Sequence, residues 1–194
     1  MYKYHKYNNL YICRSKHDDM KIVVLKGSPR KSGNSDWLAD QFIKGAAEAG
    51  HEVTEFDCSR HKVGGCLACN ACGMNGPCVQ KDDFAPLREE LLAADAIVLA
   101  TPIYYFGVSA QLKTVIDRFY SINAVIGGKK SVFIATMGNP NIQVGDSAKM
   151  MYDKMTAYLN WEDCGQIIVP GVWAAGDIQQ TAYGQQAYEL GRNI

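Results

Sequence analysis

Short apolar segments alternate with amphipathic segments along most of this 194-residue chain. Runs of aliphatic residues are typical of strands buried on both faces, whereas apolar positions three and four apart are typical of helices. The predicted strands are residues 22–25, 51–57, 96–101, 131–136 and 166–169, and the helices that follow them are near 35–49, 82–94, 109–121, 147–160 and 180–192. This alternation predicts an α/β fold with a doubly wound, five-stranded parallel sheet, for which the common strand order is 2-1-3-4-5.

The first strand runs directly into a polar loop and a helix, in the stretch KIVVLKGSPRKSGNS at residues 21–35. Asn34 or Ser35 is the expected N-cap of that helix, and Gly50 is expected just beyond its end. Backbone N–H groups, serine hydroxyls, an amide and a guanidinium all lie near the positive end of the helix dipole, which suits an anion. The pattern is neither a mononucleotide loop nor a dinucleotide fingerprint, and it favours a single terminal phosphate over an ordinary surface loop.

Charge and composition exclude several classes of partner. Twenty basic and twenty acidic residues cancel, so nucleic acid or a membrane surface is not the expected main partner. There is no apolar run long enough to span a bilayer. Residues 1–19 differ in composition from the rest and are interpreted as an N-terminal extension without assigned function, whereas 20–194 form one domain. Without a secretory signal, the expected location is cytoplasmic.

In the order 2-1-3-4-5, a ligand binds at the carboxyl ends of the first and third strands. The third strand is followed by PIYYFG at residues 102–107, which is predicted to be a loop that presents flat aromatic surface. A phosphate site beside an aromatic surface suits FMN. The alternative interpretation is that residues 104–106 merely cover the end of the sheet.

Two motifs, GSPRKSGNS at 27–35 and TPIYYFGVSAQLKTVIDR at 101–118, resemble those of the flavodoxin-fold NAD(P)H-dependent FMN reductase family. The similarity extends over nearly all of residues 20–194. The resemblance implies phosphate and ribityl contacts from Ser28, Arg30, Ser32, Asn34 and Ser35. It implies ring contacts from Pro102, Ile103, Tyr104, Tyr105, Phe106 and Gly107, with Thr136, Met137 and Gly138 lining the remaining edge of the ring.

Four of the seven cysteines lie close together in the long connection at residues 59–82, as Cys66, Cys69, Cys72 and Cys78. Closely spaced thiolates bind Fe–S clusters or zinc, and a compact run favours a cubane cluster, since structural zinc sites join more distant pairs. Free thiols remain an alternative. The spacing also resembles that of iron–sulfur flavoproteins, a branch of the same fold family that carries a [4Fe–4S] cluster beside FMN. We interpret Cys13, Cys58 and Cys164 as small hydrophobic residues.

The resemblance implies an enzyme in which NAD(P)H transfers hydride to FMN, and electrons pass to a small-molecule or protein acceptor, through a cluster if one is bound. No acid–base side chain is expected to be essential, because the flavin carries the chemistry. The resemblance also implies a homodimer or a higher homo-oligomer. One alternative is an electron carrier that receives electrons from ferredoxin and does not use NAD(P)H. Another is a redox- or metal-sensing interaction protein whose active groups are the thiols.

Overall fold

The computed structural model describes residues 6–7, 10–11 and 19–194 of the chain. Its strands are β1 (Lys6–Tyr7), β2 (Leu10–Tyr11), β3 (Lys21–Lys26), β4 (Glu52–Asp57), β5 (Ala96–Tyr104), β6 (Gly107–Val108), β7 (Lys130–Thr136) and β8 (Glu162–Val169). Its helices are α1 (Asn34–Glu48), α2 (Phe84–Ala93), α3 (Ala110–Arg118), α4 (Asp146–Leu159) and α5 (Tyr183–Arg192). Three short 3₁₀ helices are Phe119–Ile122, Ile142–Gly145 and Asp177–Gln180.

The five long strands form a parallel sheet in the order β4-β3-β5-β7-β8. This arrangement confirms the predicted doubly wound α/β fold and the order 2-1-3-4-5. The order in which strands are added reverses between β3 and β5, and this switch point leaves a crevice at their carboxyl ends, where doubly wound folds bind ligands. The short strands β1 and β2 pair with each other antiparallel, and the division into residues 1–19 and 20–194 stays a prediction.

Helices cover both faces of the sheet because successive strand residues point to opposite sides. Ile22 and Val24 belong to the apolar layer under α1 and α5, whereas Val23 and Leu25 belong to the layer under α2, α3 and α4. The α1 and α5 backbones touch, since a Cβ added at Gly45 would clash with the Tyr188 carbonyl. Both layers place rigid strand ends under the loops at the carboxyl edge.

Two predictions at that edge are wrong: the N-cap of α1, and the conformation of residues 102–107. Helix α1 begins at Asn34 and its N-cap is Gly33, which has no side chain to cap it, so neither Asn34 nor Ser35 acts as the cap. The Asn34 amide instead bonds to the backbone of a distant loop, as described below, which leaves it unavailable for capping. The prediction for the other end is confirmed: Gly50 follows α1 with a φ of 99°.

Residues 102–107 are a β-hairpin rather than a loop. Strand β5 continues to Tyr104 and pairs antiparallel with β6, with Tyr104 opposite Gly107. Tyr105 and Phe106 form the turn with φ values of 45° and 67°. Two positive φ values match the turn type that the right-handed twist of a hairpin requires, although that turn normally uses asparagine and glycine. The sequence pattern therefore did not predict this hairpin, because its turn consists of two aromatic residues.

No helix in the described part of the chain is both long enough and apolar enough to cross a membrane.

Candidate functional site

A pocket of about 180 Å³ opens at the carboxyl edge of the sheet, between the ends of β3, β5 and β7. The loops that were predicted to meet there do meet. The predicted site residues that line the pocket are Ser28, Arg30, Asn34, Ser35, Pro102, Ile103, Tyr104, Thr136, Met137 and Gly138. Residues separated by more than 100 positions in the chain are thus brought together by the topology of the sheet.

The end of the pocket nearest α1 is suited to an anion. The Ser35 Oγ is buried and has no hydrogen-bond partner, and the first N–H groups of a helix have no intrahelical acceptor. Ser28 lies opposite, and its Oγ accepts a hydrogen bond from the Arg30 N–H at 3.2 Å. A Cβ at Gly33 would come within 2.6 Å of that Oγ. Donors without partners in a concave site indicate an oxygen-rich anion.

Asn34 lines the pocket, but its side chain has a structural role. Its amide nitrogen donates to the Ala174 carbonyl at 2.9 Å, and its Oδ1 accepts from the Gly176 N–H at 3.2 Å. These bonds hold the loop after β8 against the start of α1. Ser32 is exposed and lies outside the pocket lining, with a φ of 53°. Of the other polar residues predicted for the phosphate, Ser28, Arg30 and Ser35 line the pocket, and among these three only the Ser35 hydroxyl has no hydrogen-bond partner.

The other end of the pocket is flat and largely apolar. Ile103, Tyr104 and Met137 line it, and the Trp173 ring packs against the backbone at Gly138, where a Cβ would clash with that ring. The tip of the hairpin lies outside the lining: Tyr105 is fully exposed and Phe106 is 57% exposed. Gly107 is also outside it.

The loop after β8 completes the pocket with Val172 and Trp173. Sequence reasoning missed both residues. Arg30 donates to the Trp173 carbonyl at 3.2 Å, which joins the first loop of the chain to this last one. The one available signal was a tryptophan shortly after a predicted strand end, at the same edge of the sheet as the other loops.

The residue after Ser35 is a buried carboxylate that does not line the pocket. Asp36 is 6% exposed, and its Oδ1 has no hydrogen-bond partner. Burial raises the pKa of Asp36 to about 6; Lys26 opposes the shift, whereas repulsion from Asp57 and Asp40 adds to it. This carboxyl group therefore titrates close to neutral pH.

The four clustered cysteines line a second, small pocket together with Leu67, Val79, Arg118 and Tyr120. None of the four forms a disulfide. No group of three or more His, Cys, Asp or Glu side chains among the described residues is arranged to hold a metal ion. The structure thus brings the predicted ligands to one place without showing a metal geometry.

The remaining cysteines have different surroundings. Cys58 and Cys164 are buried in the two apolar layers, as expected of small hydrophobic residues. Burial is the main reason why the pKa of Cys58 rises to about 12. Cys13 lies outside the described residues.

The strand order and the pocket at its switch point define a flavodoxin-like α/β protein, and comparison with known proteins identifies the family. The model of the NADPH-dependent FMN reductase family matches residues 20–160, and the chain belongs to that family.

Iron–sulfur flavoproteins are among its relatives. One from Archaeoglobus fulgidus is 38% identical over 65% of this chain and 60% of its own length. A second from the same organism is 33% identical over 71% of each chain. The matches span between 51% and 64% of the length of the first three curated relatives.

Solved structures share the fold. An NAD(P)H:quinone oxidoreductase from Methanothermobacter marburgensis superposes with a TM-score of 0.76, covering 91% of this chain and 96% of that one at 20% identity.

Proposed function

We propose that the protein is an NAD(P)H-dependent oxidoreductase that binds FMN in the pocket at the carboxyl edge of the sheet. The observation that carries this proposal is the polarity of the pocket. A buried serine hydroxyl without a partner lies beside a helix N-terminus, and apolar and aromatic side chains line the rest of the pocket. A phosphorylated, flat, ring-bearing cofactor has both kinds of group at its two ends.

The residues divide between the two ends of the cofactor. Ser28, Ser35 and the first N–H groups of α1 would hold the phosphate, with Arg30 at its open side. Ile103, Tyr104 and Gly138 would hold the ring. FMN, when bound, accepts a hydride from NAD(P)H and passes electrons to a second acceptor. The protein's own contribution is to hold the ring, leave one face open to the nicotinamide and shield the rest from water.

The pocket is smaller than the roughly 300–1,000 Å³ of sites that enclose a drug-sized ligand. It would therefore enclose only part of FMN, and the remainder would face solvent or a second subunit. This supports the prediction of a homodimer. It also offers a role for the hairpin residues Tyr105, Phe106 and Gly107, which lie outside the lining and would contact the exposed part of FMN or an FMN bound to the partner subunit. The oligomer and the cytoplasmic location stay predictions.

We further propose that Cys66, Cys69, Cys72 and Cys78 hold a [4Fe–4S] cluster. One observation supports this: the four side chains line one pocket. Thiolates are the ligands that Fe–S clusters require, so the donor set fits the group. The names of the relatives from Archaeoglobus fulgidus agree with this chemistry. A cluster held by these four thiolates would supply one-electron redox chemistry.

Anaerobic mixing tests the reductase. The purified protein should be yellow, and NADH or NADPH should bleach its flavin absorbance within seconds. A protein that binds FMN but whose absorbance does not change with either nucleotide contradicts the NAD(P)H assignment. A protein that neither retains nor rebinds FMN contradicts the pocket assignment as well.

The second candidate is an electron carrier that takes electrons from ferredoxin. The cysteine pocket favours it, because a hydride-driven FMN reductase needs no cluster. Reduced ferredoxin should then bleach the flavin where nucleotides do not. Replacing Cys69 with serine should remove the broad brown absorbance of a cluster while the flavin bands persist. If both the brown absorbance and the flavin bands persist, the assignment of the cysteines as cluster ligands is refuted.

A further inference from the structure

The long cysteine loop is closed at its neck by paired hydrogen bonds. Lys62 and Asp83 are joined twice, by the Lys62 N–H to the Asp83 carboxylate at 2.7 Å and by the Asp83 N–H to the Lys62 carbonyl at 3.1 Å. One step further in, the Gly64 N–H donates to the Asp82 carboxylate at 2.9 Å. The Gln80 amide then donates to the Gly65 carbonyl at 2.9 Å. The two ends of the loop are therefore held side by side.

Arg118, the last residue of α3, fills the base of this neck. Its side chain is 1% exposed. One guanidinium nitrogen donates to the Asp82 carboxylate at 2.7 Å and to the Gly64 carbonyl at 2.8 Å, and the other reaches Asp82 at 3.2 Å. The guanidinium also lies 4.8 Å from the centre of the Phe84 ring. A single side chain thus joins both ends of the loop to α2 and α3.

The same guanidinium lies at the wall of the cysteine pocket. Arg118 lines that pocket with all four cysteines, whereas its partner Asp82 does not. Its Nε is buried without a hydrogen-bond partner. An arginine side chain stays protonated at physiological pH, so Arg118 places a buried positive charge in the wall of the pocket that the four cysteines line.

We propose that Arg118 is a positioning residue for the cysteine loop and sets the reduction potential of the metal centre held there. The inference rests on the proposed cluster. Four thiolates around a [4Fe–4S] core leave a net negative charge that grows on reduction, and a buried cation beside one ligand favours the reduced form. Hydrogen bonds and charge near the sulfurs are among the factors that tune such potentials.

The test compares Arg118→Met, Arg118→Lys and the control Lys113→Met, each reconstituted anaerobically with iron and sulfide. Lys113 is on the same helix, but its charge is exposed and paired with Asp117 at 2.6 Å. Potentiometric titration followed by EPR gives the cluster potential, and hydrogen exchange in the metal-free protein gives the mobility of residues 64–80.

We expect Arg118→Met to lower the potential by at least the ~59 mV that corresponds to a tenfold change in a one-electron equilibrium. Arg118→Lys keeps the charge, so the equilibrium constant for one-electron reduction of the cluster should stay within about threefold of the wild-type value. It loses the forked contact to Asp82 and Gly64, so exchange in residues 64–80 should be about tenfold faster. Lys113→Met should change neither quantity.

The outcomes separate the two proposals. A wild-type protein that takes up no iron refutes the proposed cluster and, with it, the potential-setting role. A wild-type cluster whose potential is unchanged by Arg118→Met refutes the inference alone. If Arg118→Met does not fold, Arg118→Lys supplies the test. Unchanged hydrogen exchange in residues 64–80 of this variant refutes the positioning role. A cluster potential lowered by ~59 mV or more, the decrease expected when the charge is removed, refutes the role of charge.

Discussion

Asp36 should make the protein less stable as the pH rises, and replacing it with asparagine should remove that loss. The pKa of this carboxyl is about 6 in the folded protein against an ordinary value of 3.8. Below about pH 4 the group is protonated in both states and contributes little. Above pH 6 the folded protein must ionise a buried group. At about 1.36 kcal/mol per pKa unit, this costs about 3 kcal/mol, most of it developing between pH 4 and 6.

One effect opposes this gain. Asp36 lies in the first turn of α1, where a negative charge is favoured by about 0.3–1 kcal/mol. The cost of burying the charge exceeds this benefit, so Asp36→Asn should stabilise the protein by about 2 kcal/mol at pH 8 and by less than about 1 kcal/mol at pH 4.

Urea denaturation of flavin-free protein from pH 4 to pH 8 measures this dependence. Asp40→Asn is the matched control: it lies one turn further along α1, but its carboxylate is half exposed and pairs with Lys26 at 2.7 Å. It should change stability by no more than about 1 kcal/mol, and in the destabilising direction. The reasoning is refuted if Asp36→Asn has the same pH slope as wild type, or if it is the less stable protein at pH 8.

Three further predictions concern the pocket and the neighbouring hairpin. Ser35→Ala should weaken FMN binding about tenfold in a fluorescence titration, because one hydrogen bond to a charged group is lost, and it should not lower the unfolding free energy. Ser32→Ala is the control and should leave FMN affinity unchanged; equal losses of affinity in the two variants contradict the anion site. FMN should quench the fluorescence of Trp173, and Trp173→Phe should remove a large part of that quenching; an unchanged signal places the ring elsewhere. The double change Tyr105→Asn and Phe106→Gly should raise the unfolding free energy by about 1–3 kcal/mol, because it relieves two strained positive φ values; a lower value in urea denaturation refutes the strain.

Sequence reasoning found the sheet because burial on both faces makes each strand recognisable by itself. The aliphatic runs IVVL and AIVLAT are typical of central strands in an α/β sheet. The strand order that is common for such folds then placed the first and third loops at one edge of the sheet. Ser28, Ser35 and Ile103 belong to these two loops, and the structure brings all three into one pocket.

Local patterns were misleading where distant contacts decide the conformation. Asparagine is a residue type typical of helix N-caps, yet the Asn34 side chain forms hydrogen bonds with residues about 140 positions away. The aromatic pair at residues 105–106 lacks the glycine or asparagine typical of a tight turn, but pairing between β5 and β6 forces the turn on them. Trp173 gave no periodic signal because it lies in a loop, where conformation depends on what the loop packs against.

The sequence by itself determined the layered fold, the edge of the sheet where the loops of the candidate site meet and the proximity of the cysteines, since each of these follows from periodicity, the common strand order or spacing along the chain. Only the tertiary structure decided which side chains remain free to bind. The Ser35 hydroxyl lacks a partner, whereas the Asn34 amide is fully committed. The tertiary structure also placed Arg118 against the ends of the cysteine loop. Such a contact between residues far apart in the chain depends on how two elements pack, so neither element carries a sequence pattern that predicts it.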